Sequence, residues 1–171
     1  MTRSTQRISA KRSEASLAVG DAVAAIIRIG EDGYLLQHRD NLPHIWYPGH
    51  WGCFGGAVHD GEDPLDALVR ELHEEIEFQP TKITYFSRFD FDLDPIGLRS
   101  YYRTYYLITM SPEERAALVL HEGDAIDVFD GKTIFEELLV TPYDAFALFL
   151  FHHRNRLSED AGGEEIKETT P

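Results

Sequence analysis

With 171 residues, 43% of them hydrophobic and 12% aromatic, the chain has enough apolar material for one domain with a buried core. Its formal net charge of -14 argues against a module for polymeric nucleic acid, which is bound mainly by neutralising backbone phosphates. No apolar run could span a bilayer, Phe146 to Phe151 being the longest, and the single cysteine, Cys53, excludes an internal disulfide and a Cys/His zinc pattern.

Residues 1–18 are polar and basic with no apolar stretch behind them. They read as a flexible arm rather than a secretory signal, which sets a cytoplasmic expectation. Asp21 to Ile29 (DAVAAIIRI) has the composition of a buried strand. Glu31-Asp32-Gly33 is a turn, and Tyr34 to His38 completes a hairpin. Asn41 to Trp51, rich in Pro, Gly and Trp, is an ordered loop, and Gly52 to Val58 is short and extended, with Cys53 a small buried residue. After the turn Asp60 to Asp63, Pro64 suits the first position of a helix running from Leu65 to about Glu77. Thr81 to Asp92 and Arg99 to Met110 read as strands joined around Asp94-Pro95-Ile96-Gly97. Pro112 to Leu118 is a short helix, Ala125 to Phe129 a strand, and Thr141 the N-cap of a final helix, with Pro142 at N1, ending near Arg156. The domain is therefore 19–157, and 158–171, with Gly162-Gly163 and mostly acidic charge, is a flexible tail. Strands before and after a central helix, with another helix at the end, make a mixed α/β (α+β) sandwich.

The helix from Leu65 carries the chemistry. Leu65, Leu68, Val69, Leu72 and Ile76 fall in one apolar stripe. Glu71, Glu74 and Glu75 fall at i, i+3 and i+4 in a second stripe, where like charges repel. A solvated acidic face is one reading. A cation among the carboxylates is the other, supplied by Arg70 or, better, by a divalent metal; all-oxygen donors suit magnesium or manganese.

The spacing around this helix decides between them. Gly56 to Phe78 reads GAVHDGEDPLDALVRELHEEIEF, with Glu62 after five intervening residues, Arg70-Glu71-Leu72 after seven more, then Glu74-Glu75 and Phe78. This resembles the Nudix box at eight of its nine defined positions. The flanking elements extend the resemblance over about 20–156 and imply the Nudix α/β/α sandwich with a mixed sheet. The resemblance implies a hydrolase that cuts a nucleoside diphosphate linked to another group, using Mg2+ or, in its place, Mn2+. Glu74 and Glu75 would be metal ligands, Glu71 a further ligand or the base, and the Gly56 carbonyl part of the metal site. Arg70 and Glu62 would pair to position the helix, and Gly55-Gly56 would let the backbone approach closely. Glu122 is the candidate for a later acidic ligand, with Asp124 as fallback. The ninth position, a glycine in the family, is Glu77. A glutamate in that left-handed conformation would cost about 1 kcal/mol, so the expectation is a helix end altered from the family's and running on to Pro80.

Substrate signals are weaker. Trp46, Tyr47 and Trp51 are candidates for stacking on a base or sugar, or for packing on the sheet. Arg39 and Arg103, with Arg28 and Arg99, are candidates for phosphate contact or for plain surface placement. Tyr101, Tyr102, Tyr105 and Tyr106 place aromatics on both faces of one strand, which is then covered on both sides or sits at a dimer contact. His38, His44, His50 and His59 lie near the box but suit magnesium poorly. The implied partner is a small nucleoside diphosphate derivative (a nucleotide sugar, ADP-ribose or a nucleoside triphosphate), with no polymeric nucleic acid, no membrane and a homodimer as a reasonable state. A non-catalytic module that senses such a ligand is the alternative. An isomerase of prenyl diphosphates on the same fold is a third reading, supported only by Cys53.

Overall fold

The computed structural model describes residues 20–159; most of the expected arm and tail lies outside them. Six strands form one mixed sheet: β1 (Ala22–Ile29), β2 (Gly33–His38), β3 (Trp51–Gly52), β4 (Thr84–Phe91), β5 (Tyr101–Met110) and β6 (Ala125–Phe129). The path is β3-β2-β1-β5-β4, and β6 pairs with β2. β1 and β2 form the expected antiparallel hairpin, while β1 and β5 run parallel from Ala22↔Arg103 to Ile29↔Met110. Five helices complete the fold: α1 (Pro64–Ile76), α2 (Pro112–Ala116), α3 (Gly131–Glu136), α4 (Pro142–His152) and α5 (Arg154–Glu159). Among the described residues no helix is long and apolar enough to cross a membrane.

Alternation along β1 builds two cores. Val23, Ala25 and Ile27 pack with Leu68, Leu72 and Ile76 of α1. Ala24 and Ile26 pack with Ile134 of α3 and Ala147, Leu148 and Phe151 of α4. The period-two geometry of a strand therefore makes three layers, with helices on both faces. Tyr105 and Tyr106 divide between these cores, so β5 is covered on both sides. Cys53 is buried in the α4-side core.

β2 covers only the C-terminal half of β1. Toward the other end the residues after β3 take over: Ala25 and Val23 donate N–H bonds to the carbonyls of Phe54 and Gly56, each 2.9 Å. This swap of partners brings Gly55 and Gly56 to the sheet edge that α1 crosses. Gly55, at φ +133, also packs so closely on Val23 that a Cβ would meet its carbonyl oxygen at 2.3 Å.

Four sequence expectations need correction. Leu65 is 39% exposed while Ala67 is fully buried, so the buried arc of α1 is rotated from the apolar stripe and takes in Glu75. Thr141 precedes α4 as expected, but its hydroxyl donates to Asp144 rather than capping a backbone N–H. His153 interrupts the final helix, which resumes as α5. The short helix α3 was not expected, although Asp130 caps it by accepting from the Thr133 N–H at 2.7 Å.

A further correction concerns the end of α1. Glu77 adopts φ 53, ψ 33, the left-handed conformation, and the helix stops at Ile76 instead of running toward Pro80. Tertiary bonds decide this. The reversal buries Phe78 and returns its N–H to the Leu72 carbonyl, while the N–H groups of His121 and Val119 bond the Glu75 and Ile76 carbonyls. Glu77→Gly is expected to be more stable than Glu77→Ala by about 0.5–1 kcal/mol, because both lack the carboxylate and glycine adopts this conformation without a Cβ penalty. Urea unfolding of the two variants at matched pH measures it; a glycine variant no more stable than the alanine one would show that the conformation carries no strain.

Candidate functional site

The site forms where α1 crosses the Gly55-Gly56 segment. Asp63 caps the helix by accepting the Leu65 N–H at 2.8 Å, and Pro64 occupies the first turn. One turn further on, Arg70 anchors the helix to the preceding loop. Its Nε and Nη2 reach the two oxygens of Glu62 at 2.9 and 3.0 Å, and Nη2 also donates to the Ala57 carbonyl at 2.9 Å. Hydrogen bonding from Arg70, helped by the His59 N–H, lowers the Glu62 pKa to about 2. The expected Arg70–Glu62 pair is thus present. Arg70 also touches the acidic row, with Nη1 2.7 Å from Glu71 Oε1 and 3.3 Å from Glu74 Oε2.

The three glutamates have different surroundings. Glu74 is exposed. Glu71 is partly buried, and its carboxylate fills the space beside Gly56, where a Cβ would meet it at 2.4–2.6 Å. Burial raises the Glu71 pKa against the pull of Arg70, and the charges of Glu74 and Glu122 raise it further. Glu75 is only 5% exposed. It accepts from Gln37 Nε2 at 2.9 Å and from the Gly55 N–H at 3.0 Å. Burial nevertheless raises its pKa to about 7, with Glu71 and Glu122 adding to the shift.

The chemistry of this donor set is that of a hard divalent cation's ligands, although among the described residues no three of these side chains gather closely enough to hold one. A buried carboxylate, a second one against a glycine that leaves it room, and the nearby charge of exposed Glu122 form an all-oxygen group whose negative charge Arg70 offsets only in part. The Gly56 carbonyl accepts the Val23 N–H, which leaves its second lone pair. Among the described residues Arg70 is the only cation bonded to the row, through Glu71 and Glu74; Glu75 bonds neutral groups.

The raised pKa of Glu75 has a measurable consequence. In the unfolded chain the carboxyl ionises near 4.5, and in the folded chain near 7. Between these values the folded state holds more protons, so stability falls as pH rises. Without divalent ions, wild type is expected to lose on the order of 2–3 kcal/mol relative to Glu75→Gln between pH 4.5 and 7. Parallel denaturation curves at several pH values test this, and a flat difference would mean that Glu75 ionises normally.

Gln37 is a site residue that the motif does not include. Its signal was the alternation of β2, which puts Gln37 on the same face as Leu35, toward α1, where a buried amide needs a polar partner.

The candidate substrate residues are divided. Arg39 Nε donates to the Trp46 carbonyl at 3.0 Å, and the Trp46 ring is 41% exposed beside Tyr47. Trp51 packs edge-on against Phe129 and His38 as part of the α4-side core. Arg103 is not at the surface. It faces the α4 side of the sheet, 3.3 Å from Asp144 Oδ1, with Nε donating to the Tyr105 hydroxyl at 3.1 Å and the guanidinium over the Tyr143 ring. Tyr143 in turn meets Tyr47 edge-on, which links Arg103 to the aromatic loop. His38 lies 3.6 Å from Asp124, the fallback ligand, and no bond joins Asp124 to the glutamate row.

The fold has counterparts among solved structures. The chain is similar in structure to the MutT protein of Methanosarcina mazei Go1, with TM-score 0.65 and 19% identity, covering 79% of this chain and 94% of that one. It is similar to the NUDIX domain of Shewanella oneidensis NrtR, solved with ADP ribose, at TM-score 0.59 and 20% identity, covering 85% and 92%. It is also similar to an Ap4A hydrolase of C. elegans, at TM-score 0.60 and 18% identity, covering 81% and 98%. No curated protein matches the sequence. The NUDIX domain model matches residues 19–155, which contain every element from β1 to α4 and the whole carboxylate site, and the chain therefore belongs to the Nudix family.

Proposed function

We propose that this chain hydrolyses the diphosphate linkage of a small nucleoside diphosphate derivative by attack of water. The observation that supports this most is Glu75, a buried carboxylate on the Gly55 N–H with the charges of Glu71 and Glu122 directed at it. The Gly56 carbonyl, Glu71, Glu74, Glu75 and Glu122 would hold magnesium, or manganese in its place. When bound, the cation would neutralise phosphate charge and acidify a water. Glu71 is the better base, because Arg70 holds it through Oε1 alone whereas Glu75 is fixed by two donors. Arg70 and Glu62 keep the helix and the Ala57 backbone in register. Arg39 and Trp46 are proposed to contact the base or sugar, with Arg103 acting through Tyr143 and Trp51 supporting the loop from beneath.

A second reading, a module that binds such a ligand without cutting it, is favoured by one contact. Arg70 Nη1 bridges Glu71 and Glu74, so part of the acidic row already has a cationic partner. The likeness to the NrtR domain solved with ADP ribose is in keeping with it. Screening nucleotide sugars, ADP-ribose, nucleoside triphosphates and a prenyl diphosphate with Mg2+ separates the readings. Release of a nucleoside monophosphate is expected. Tight binding without turnover in Mg2+ or Mn2+ would support the sensor, and a rearranged product with its diphosphate intact would indicate an isomerase.

A further inference from the structure

Glu77 departs from the family pattern at a position where its backbone is strained. Its carboxylate is not idle there: Oε1 lies 2.7 Å from His121 Nε2, across 44 positions of sequence. Both side chains are about half exposed, so solvent screens the pair and it adds little stability. That gain does not clearly exceed the cost of a left-handed glutamate, and stability alone does not account for the residue.

His121 precedes Glu122, and the segment from Val119 to Asp124 that leads into β6 is fastened on two sides. The His121 N–H bonds the Glu75 carbonyl at 2.8 Å, and Val119 bonds Ile76. The Asp124 N–H bonds the His38 carbonyl at 2.8 Å. Gly123, at φ +85, has no room for a Cβ, which would stand 2.7 Å from the His38 carbonyl oxygen and 3.0 Å from Gln37 Oε1. Gln37 is the residue that donates to Glu75. The loop thus touches the end of α1 on one side and the support of Glu75 on the other, with Glu122 between.

We infer that Glu77 and His121 form a clasp that positions the Glu122 loop against the carboxylates of α1, so that the strain at the end of the helix is kept in exchange for order in the divalent-cation site. The inference rests on the reading of that site as cation-binding. Neither residue is a catalytic residue; both act through Glu122 and the Glu75 carbonyl. Strain of this kind persists where the surrounding contacts fix it and function uses it.

The test is Mn2+ binding to the full chain, followed by electron paramagnetic resonance, for wild type, Glu77→Gly, Glu77→Gln and His121→Ala. Glu77→Gly and His121→Ala are expected to weaken Mn2+ binding about tenfold, in the range found when groups supporting a ligand are removed. Glu77→Gln keeps an acceptor for His121 and is expected to stay close to wild type. Amide exchange at residues 119–124 should speed up in the same two variants and not in Glu77→Gln. Glu77→Gly is expected to fold at least as well as wild type, so weaker binding there is not a folding defect. Equal Mn2+ affinity in all four proteins overturns the clasp and leaves the site intact. A wild type that binds no Mn2+ overturns the reading of the site, and the clasp falls with it.

Discussion

Glu75→Gln is expected to lower turnover of a diphosphate substrate at least a hundredfold while the protein stays folded. The substitution keeps the size of the side chain and removes its charge. A loss of about 3 kcal/mol of transition-state stabilisation corresponds to about two decades in rate, and charge neutralisation at a phosphoryl centre supplies several kcal/mol. The effect should be in kcat and kcat/KM together, since the carboxylate serves the reacting phosphates rather than the base. Glu74→Gln is expected to cost less, because Glu74 is exposed and only Arg70 touches it. Steady-state kinetics with saturating Mg2+ decide the matter. A loss below tenfold in Glu75→Gln, with an unchanged circular dichroism spectrum, would count strongly against Glu75 as a ligand.

The second large effect lies on the other face of the sheet and concerns stability. Asp144 is only 1% exposed, accepts three hydrogen bonds and forms an ion pair with Arg103. The Cys53 N–H donates at 3.0 Å, the Thr141 hydroxyl at 2.7 Å and the Tyr105 hydroxyl at 2.8 Å, and Arg103 Nη2 lies 3.3 Å away. Burial opposes the charge on Arg103, and Asp144 more than restores it. Asp144→Ala would leave a buried guanidinium without its counter-charge and the Cys53 N–H without an acceptor. The expected loss is about 3–5 kcal/mol, or roughly 10 °C or more in Tm for a chain of this length. Replacing both partners, as Asp144→Leu with Arg103→Met, should recover much of it, because the charge is then removed rather than stranded. Thermal unfolding of the single and double variants measures both. A double variant as unstable as Asp144→Ala would show that the shape of the network matters more than its charge balance.

These residues show what was legible in the sequence and what was not. α1 was legible because its signals are local: a turn followed by a proline at the first position, a 3.6-residue period and fixed spacing back to Gly56. Glu75 was legible as an acidic helix residue but not as a buried one. Where the buried arc of a helix falls depends on which strands it lies across, and β1 with the segment after β3 turned it toward Glu75. Arg103 read as one arginine among several, since nothing near it in sequence names Asp144, an aspartate from α4, as its partner. At Glu77 the local rule gave the wrong helix end. The bonds that fix it come from Val119 and His121, over forty residues away, and from the burial of Phe78. The short helix α3 was hidden because Asp130-Gly131 looks like a turn; the glycine is there because the His152 ring would meet a Cβ at 2.3 Å.

The parallel pairing of β1 with β5 also bears on how the chain reaches this state. Ala22 meets Arg103 across roughly 80 residues, and closing a loop of that length costs entropy before any contact repays it. The β1–β2 hairpin is local and can form early, but half of β1 then has an open edge and two uncovered apolar faces until β5 arrives. Such topology places folding among the slower mixed α/β cases. It also makes β1 the segment most exposed to association with other chains during synthesis, when it has left the ribosome and its partner strand has not.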